Sequence, residues 1–254
     1  MGEVRMRDSQ NLRRSPNNAR NMTYTIHPVK PTDAEGLAET MMRAFYQDPH
    51  WASLWRNVSL NGIIQDCAKR LPWNLVKATA AKRHRKVTED STGHVVGYAR
   101  WILPEENSEE WADALVIETD PERRRVYEQR FQSVTEEGKI RGLDAEMVEE
   151  LSEAIEKTEA QVRSTGESFL TLDYLATHPE HQKRGIGSML ISNGLAYADN
   201  NGLKTIVVAK TPGVKLYQEH GFRIVEIIQQ ERPQYGWSEP YTTTILIREP
   251  NPPK

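Results

Sequence analysis

A run of nine residues, Phe169-Leu170-Thr171-Leu172-Asp173-Tyr174-Leu175-Ala176-Thr177, is apolar at nearly every position. A strand that is apolar on both faces has to be covered on both, which places it in the interior of a sheet with helices above and below. His178-Pro179 breaks the run, and the chain passes through Gln182-Lys183-Arg184-Gly185-Ile186-Gly187-Ser188 into a helix legible from Ile186, Met189, Leu190, Ala196 and Tyr197. Asn200-Asn201-Gly202 stops that helix. A glycine-containing loop that enters a helix leaves several backbone N–H groups unpaired at the positive end of the helix dipole, which makes an anion cradle. Gly185 and Gly187 carry no side chain to hold a phosphate off the backbone, and Lys183 and Arg184 add charge at the rim.

The flanking sequence repeats the alternation of strand and helix. Residues 24–29 read as a strand closed by Pro31, and a helix capped by Thr32 or Asp33 follows, striped by Leu37, Met41, Met42, Ala44 and Phe45 and ended by Asp48-Pro49. A second helical region spans about 59–81, with Pro72 expected to kink or split it. Residues 85–90 and 95–103 read as a strand pair joined through Ser91-Thr92-Gly93. From 104 to 166 the chain turns to Glu, Arg and Lys with spaced apolar residues, the pattern of a helical insertion with a solvated outer face. Strand 169–177, helix 186–200, strand 204–209, helix 213–220, strand 222–228 and a last strand near 241–248 complete an α/β mixed sheet in one domain, 23–248. Residues 1–22 read as a disordered tail; Arg5, Arg7, Arg13, Arg14 and Arg20 faintly suggest a targeting leader, but Glu3, Asp8 and the Asn-rich stretch fit a tail better. Residues 249–254 form a second tail.

Charge and cysteine content exclude several function classes. Lys and Arg number 33 against 36 Asp and Glu, a net charge of −3 that gives no global field for nucleic acid or an anionic membrane, so any phosphate binding is local. Cys67 is the single cysteine; no internal disulfide can form, no Cys/His spacing supports zinc, and no metal is expected. The apolar runs fall short of a transmembrane or secretory segment, and a cytoplasmic protein is expected.

Residues 169–222 resemble the GNAT N-acetyltransferase family. Gln182, Gly185 and Gly187 match its Gln/Arg-x-x-Gly-x-Gly/Ala loop position for position, and residues 210–222 resemble its next helix, with a Leu216-Tyr217 pair closing on Gly221-Phe222. The resemblance implies a central mixed sheet flanked by helices, with 104–166 as an insertion absent from the minimal fold. It implies acetyl-CoA as acyl donor, with the pyrophosphate on Gln182, Lys183, Arg184, Gly185, Ile186, Gly187 and Ser188. The pantetheine then lies against backbone of Leu175, Ala176 and Thr177, between splayed strands 169–177 and 204–209. Many members carry Asn or Ser where this chain has Lys210, which leaves Thr211 as the expected stand-in.

The resemblance also implies that Tyr217 protonates the departing thiolate. Asp173 is the leading base on its own chemistry: a carboxylate in an apolar strand is costly unless paired or used, and desolvation would raise its pKa. A structural ion pair is the equal alternative, and Tyr174 on the opposite face is the substitute. Trp51, Trp55, Trp101 and Tyr174 are candidates to line the acceptor pocket, with plain packing as the alternative for each tryptophan. His178, His181 and His220 receive no role, and the remote Cys67 favours direct transfer in a ternary complex over a covalent route. The expected activity is acetylation of a small-molecule amine; the alternatives are a protein or peptide acetyltransferase, or a catalytically silent acyl-CoA-binding regulator. The insertion is expected either to wall the acceptor site or to mediate a homodimer.

Overall fold

Apolar spacing switches between every second residue and every third or fourth along this chain, so strands and helices alternate. The computed structural model describes residues 22–164 and 166–251. Strands β1 (Tyr24–Pro28), β2 (Lys82–Glu89), β3 (Val95–Ile102), β6 (Phe169–Thr177), β7 (Lys204–Lys210), β8 (Arg223–Gln230) and β9 (Tyr241–Arg248) form a seven-stranded sheet in the order β1-β2-β3-β6-β7-β9-β8. Only β6 and β7 are parallel; the other neighbours are antiparallel. The doubly apolar strand β6 is therefore the central strand, as its composition requires. Two two-residue strands, β4 (Thr135–Glu136) and β5 (Lys139–Ile140), make a separate hairpin.

Helices cover both faces. On one face lie α6 (Ile186–Asn200) and α7 (Thr211–Glu219), where Leu190, Ile191, Leu195 and Tyr217 pack on Val87, Ala99, Trp101, Leu170 and Leu172. On the other lie α1 (Ala34–Phe45), the five-residue α2 (Pro49–Ser53) and α3 (Leu60–Val76), whose Leu37, Met41, Ile63, Cys67 and Leu71 cover Tyr98 and Ala176. Asp48 and Pro49 do more than end α1: the Asp48 carboxylate accepts from the His50 N–H at 2.9 Å and starts α2, with Pro49 in its first turn.

Pro72 does not split α3, which runs unbroken to Val76. Pro72 is itself buried, and α3 packs against both α1 and α4 (Pro121–Gln132), so tertiary contact outweighs the missing backbone hydrogen bond. The helix ends five residues short of 81 because Ala78 takes a positive φ of 48°. The insertion holds α4, the β4–β5 hairpin and α5 (Ala145–Arg163). Its attachments converge on the α2–α3 connection: the Asp144 N–H donates to Leu54 O at 2.8 Å, the Arg56 N–H to Gly142 O at 2.8 Å, and Met147 and Leu151 pack against Trp51, Leu54 and Trp55.

The tail expected at 1–22 lies outside the described residues apart from Met22. At the other end, Glu249 pairs with Lys204 at 3.3 Å and the Asn251 N–H donates to Asp199 at 2.7 Å, so the chain is held as far as Asn251.

One close approach fixes how α6 lies on the sheet. A Cβ at Gly194 would overlap the Trp101 indole, so α6 can lie this near the strands only because position 194 has no side chain. Gly194→Ala is expected to cost about 1–3 kcal/mol by overpacking, read as a lower urea midpoint at unchanged slope. In a Trp101→Phe background the same substitution should cost less, because the shorter ring vacates the space; an equal cost in both backgrounds would mean that the contact does not set the packing.

Candidate active site

The paired register of β6 with β7 runs from Phe169–Lys204 to Leu172–Val207 and stops, although β6 continues to Thr177 and β7 to Lys210. From Asp173 onward the edge of β6 that faces β7 has no ladder partner among the described residues. Its other edge stays paired to β3, with a bulge between Arg100 and Trp101 that leaves Asp173 opposite no residue. The strands thus part into a cleft whose walls are backbone, at Leu175, Ala176 and Thr177 on one side and at the end of β7 on the other.

Beyond β6 the chain turns through a short 3-10 segment, Pro179–His181, into the loop. Lys183 (φ 60°) and Gly185 (φ 82°) are both left-handed, and no side chain caps α6. The N–H groups of Ile186, Gly187 and Ser188 therefore have no intrahelical acceptor and face the cleft end of the helix. Gly185 is needed for its conformation, since a Cβ there would meet nothing within 4 Å; Gly187 is needed for space, since a Cβ would lie 3.0 Å from Leu216 Cδ2. The Ile186 side chain is buried at 1% exposure, so only its backbone is available to a ligand. Arg184 is drawn back to the Tyr24 hydroxyl at 3.0 Å, whereas Lys183 is exposed. This cradle of free amides suits a pyrophosphate, and the unpaired β6 edge suits the amides of a pantetheine arm.

Tyr217 sits on α7, which adjoins the start of α6 through Leu216 and Gly187. It is 7% exposed, its ring packs against Phe222 at 5.7 Å, and its hydroxyl has no hydrogen-bond partner among the described residues. Burial pushes the phenol pKa up, so it holds its proton at neutral pH. Thr211 opens α7 at its first position and is exposed.

Asp173 occupies a different environment from the one its strand suggests. The bulge turns it out to solvent, where it forms an ion pair with Arg100, so it is paired rather than desolvated. The Arg100 guanidinium also lies over the Tyr174 ring, 4.2 Å from its centroid.

On the face away from α6, aromatic rings run across the mouth of the cleft. Tyr174 meets Phe45 at 5.7 Å, Phe45 meets Trp51 at 5.8 Å, and Trp51 meets Trp55 at 5.4 Å. From α2 the row continues through His50 to Trp237 at 4.6 Å, which stacks on Tyr241 at 5.8 Å. The Gln182 side-chain amide donates to Gln47 Oε1 at 2.8 Å and joins this roof to the loop. Trp51, Trp55 and Tyr174 are thus brought together. Trp101 is not: strand alternation points it to the opposite face from Arg100, fully buried under α6 against Gly194, and it takes no part in an acceptor wall.

Lys210 ends β7 within this wall. Its ammonium donates to Thr243 Oγ1 at 2.9 Å and lies 3.0 Å from the Tyr241 ring centroid. Burial lowers its pKa to about 7, with the Asp48 carboxylate acting weakly the other way. The sequence marks this position only as a departure from a motif, and nothing in it signals His50, Phe45, Trp237 or Tyr241, whose convergence is tertiary. Among the described residues no group of three or more His, Cys, Asp and Glu could hold a metal, and no helix is long and apolar enough to cross a membrane.

Residues 144–224 match the sequence profile of an acetyltransferase (GNAT) domain, taking in α5 and everything from β6 to the start of β8. No curated protein matches the chain significantly in sequence. Among solved structures, the histone acetyltransferase HPA2 and related acetyltransferase of Corynebacterium glutamicum aligns with 92% of this chain and 99% of its own, at 16% identity and a TM-score of 0.52. The polyamine N-acetyltransferase of Drosophila melanogaster aligns with 89% of this chain and 100% of its own, at 13% identity and a TM-score of 0.54. At such identities the likeness is one of fold. Profile and fold agree: residues 144–224 match a GNAT acetyltransferase domain, and the sheet and helices around them have the fold of solved acetyltransferases.

Proposed function

We propose that the protein transfers the acetyl group of acetyl-CoA directly to a small-molecule amine in a ternary complex. The observation that carries this reading is the parting of β6 from β7 after Leu172, with free amides at 186–188 on one side of the gap and an aromatic wall on the other. The wall supports a small acceptor: Trp51 and Trp55 are backed by Met147 and Leu151 of α5, so aromatic side chains and not an open backbone groove face the incoming amine.

In this reading Gln182, Lys183, Gly185, Gly187 and Ser188 hold the pyrophosphate, with Arg184 and Thr211 at its rim, and Leu175, Ala176 and Thr177 pair with the pantetheine through their backbone. A backbone N–H on the free edge of β6 is a fixed donor to the oxygen that gains charge as the tetrahedral intermediate forms. Tyr217, protonated and without a partner, gives its proton to the departing thiolate. A carboxylate already paired to a guanidinium is a weak proton acceptor, so Asp173 serves to hold Arg100 over Tyr174, and the acceptor ammonium loses its proton to Lys210. A lysine that is about half neutral near pH 7 is matched to that task.

Three outcomes are expected. CoA should bind the folded protein and raise its melting temperature by mass action, and Gly187→Val should weaken that binding; calorimetry with no heat at millimolar CoA would refute the reading at its base. Tyr217→Phe should lower kcat by roughly ten- to ten-thousandfold with CoA affinity retained, and normal turnover would leave water as the proton donor. With acceptor saturating, kcat should rise as pH climbs through about 7, because Lys210 accepts a proton only after losing its own. Lys210→Met should flatten that limb and Asp173→Asn should leave it in place; the reverse pattern returns the base role to Asp173.

A further inference from the structure

Among the described residues three arginines are buried, and two of them are fully provided for. Arg83, at 0% exposure, donates to the carbonyls of Glu110 at 2.8 Å and of Ala80 and Lys82 at 2.9 Å. Arg85, at 6%, donates to Asn193 Oδ1 at 3.2 Å and pairs with Asp113. Arg70 on α3 is the exception. It is 5% exposed, its Nη1 is sealed from solvent with no partner, and no hydrogen bond or ion pair involves it among the described residues. Asp66, one turn earlier, acts on Arg70 through its charge but makes no hydrogen bond or ion pair with it, being engaged by Arg141 at 3.0 Å and Lys69 at 3.8 Å.

The other groups around Arg70 bring no negative charge. Cys67 precedes it by one turn, and burial pushes its thiol up to about 11. Burial likewise raises the phenols of Tyr98 and Tyr174 and keeps them neutral. Asp173, next to Tyr174 in the chain, is committed to Arg100. A guanidinium kept out of water with its donors unaccepted is costly, because charge at a distance does not replace the lost hydrogen bonds.

The position of Arg70 indicates the missing acceptor. Arg70 lies on α3 between Cys67 and Leu71, which pack in one cluster with Tyr174, Phe45, Trp51 and Trp55, and Tyr174 stands in the parted stretch of β6 and begins the aromatic wall through Phe45 and Trp51. Trp55, in the same wall, has its Nε1 buried with no acceptor as well. Guanidinium and indole are donors only, so both call for a ligand that only accepts. We infer that Arg70 seats a carboxylate carried by the acceptor, so that the amine acetylated here belongs to an amino-acid-like class bearing both groups beside an apolar or aromatic body. This deepens the acetyltransfer reading and rests on it.

The test separates the two. Phenylacetate and phenylacetamide share body and shape and differ in charge; at millimolar concentration only phenylacetate should raise the melting temperature of the wild-type protein, and Arg70→Met should abolish that response. Because the variant loses an unpaired buried charge, it should melt no lower than wild type in the absence of ligand. Acetylation of phenylalanine against phenethylamine then gives the kinetic reading: Arg70→Met should raise KM for the former by roughly ten- to hundredfold and leave the latter unchanged. Equal or absent shifts with the two probes, a large drop in melting temperature in Arg70→Met, or equal KM effects on both amines would each overturn the inference. CoA calorimetry in parallel keeps the readings apart: loss of CoA binding sinks the acetyltransfer reading, whereas CoA binding without carboxylate discrimination sinks only this one.

Discussion

A parallel strand pair normally satisfies its backbone along its whole length, and leaving a buried N–H or C=O unpaired costs as much as a lost hydrogen bond. Between β6 and β7 this protein accepts that cost from Asp173 and Val208 onward. The bulge at Asp173 shifts the register against β3, and the rest of the architecture keeps the gap open. Helix α6 begins at its end and contributes free amides, α7 brings Tyr217 alongside, and α1 and α2 close the far face with rings. Every functional group discussed is placed relative to that one break in the ladder.

Two sides of the gap differ in kind. The side of α6 is backbone-rich and polar at its rim, which fits a ligand recognised by phosphates and amides and gives little selectivity among acyl-CoA molecules. The opposite side is built from side chains, with Phe45, Trp51, Trp55, Trp237 and Tyr241 around the cations Arg70, Arg100 and Lys210. In the proposed acetyltransfer, selectivity for the acceptor would then reside in the part of the chain that has least to do with the shared motif. The insertion matters for the same reason, because α5 and Asp144 buttress the segment that carries Trp51 and Trp55.

Much of this was legible in the sequence, and the parts that were not have a common cause. Strand β6, the loop at 182–188 and helix α6 declare themselves through local pattern, and β9 and the strand pair β2–β3 follow from alternation and turn chemistry. Pro72 misleads because a local rule meets a tertiary override. Trp51, Trp55 and Trp101 are alike as residues, and only the sheet decides that the last faces α6. Asp173 reads as an internal carboxylate until the bulge turns it outward. Lys210 is visible as an oddity but its desolvation is not, and Arg70, within the Ile63-Cys67-Leu71 stripe of α3, is revealed only by the absence of a partner, which no local pattern records.

Helix α2 has one further consequence. A helix of five residues cannot hold its own shape, because it forms too few backbone hydrogen bonds to offset the cost of nucleation. It is held instead by its side chains, by the Asp48 cap, by His50 against Trp237, by Trp51 against Phe45 and Trp55, and by the Gln47–Gln182 contact beside it. The shape of the roof is therefore set by side-chain contacts and not by its own backbone, and loss of those contacts would open the mouth by local unfolding without unfolding the domain.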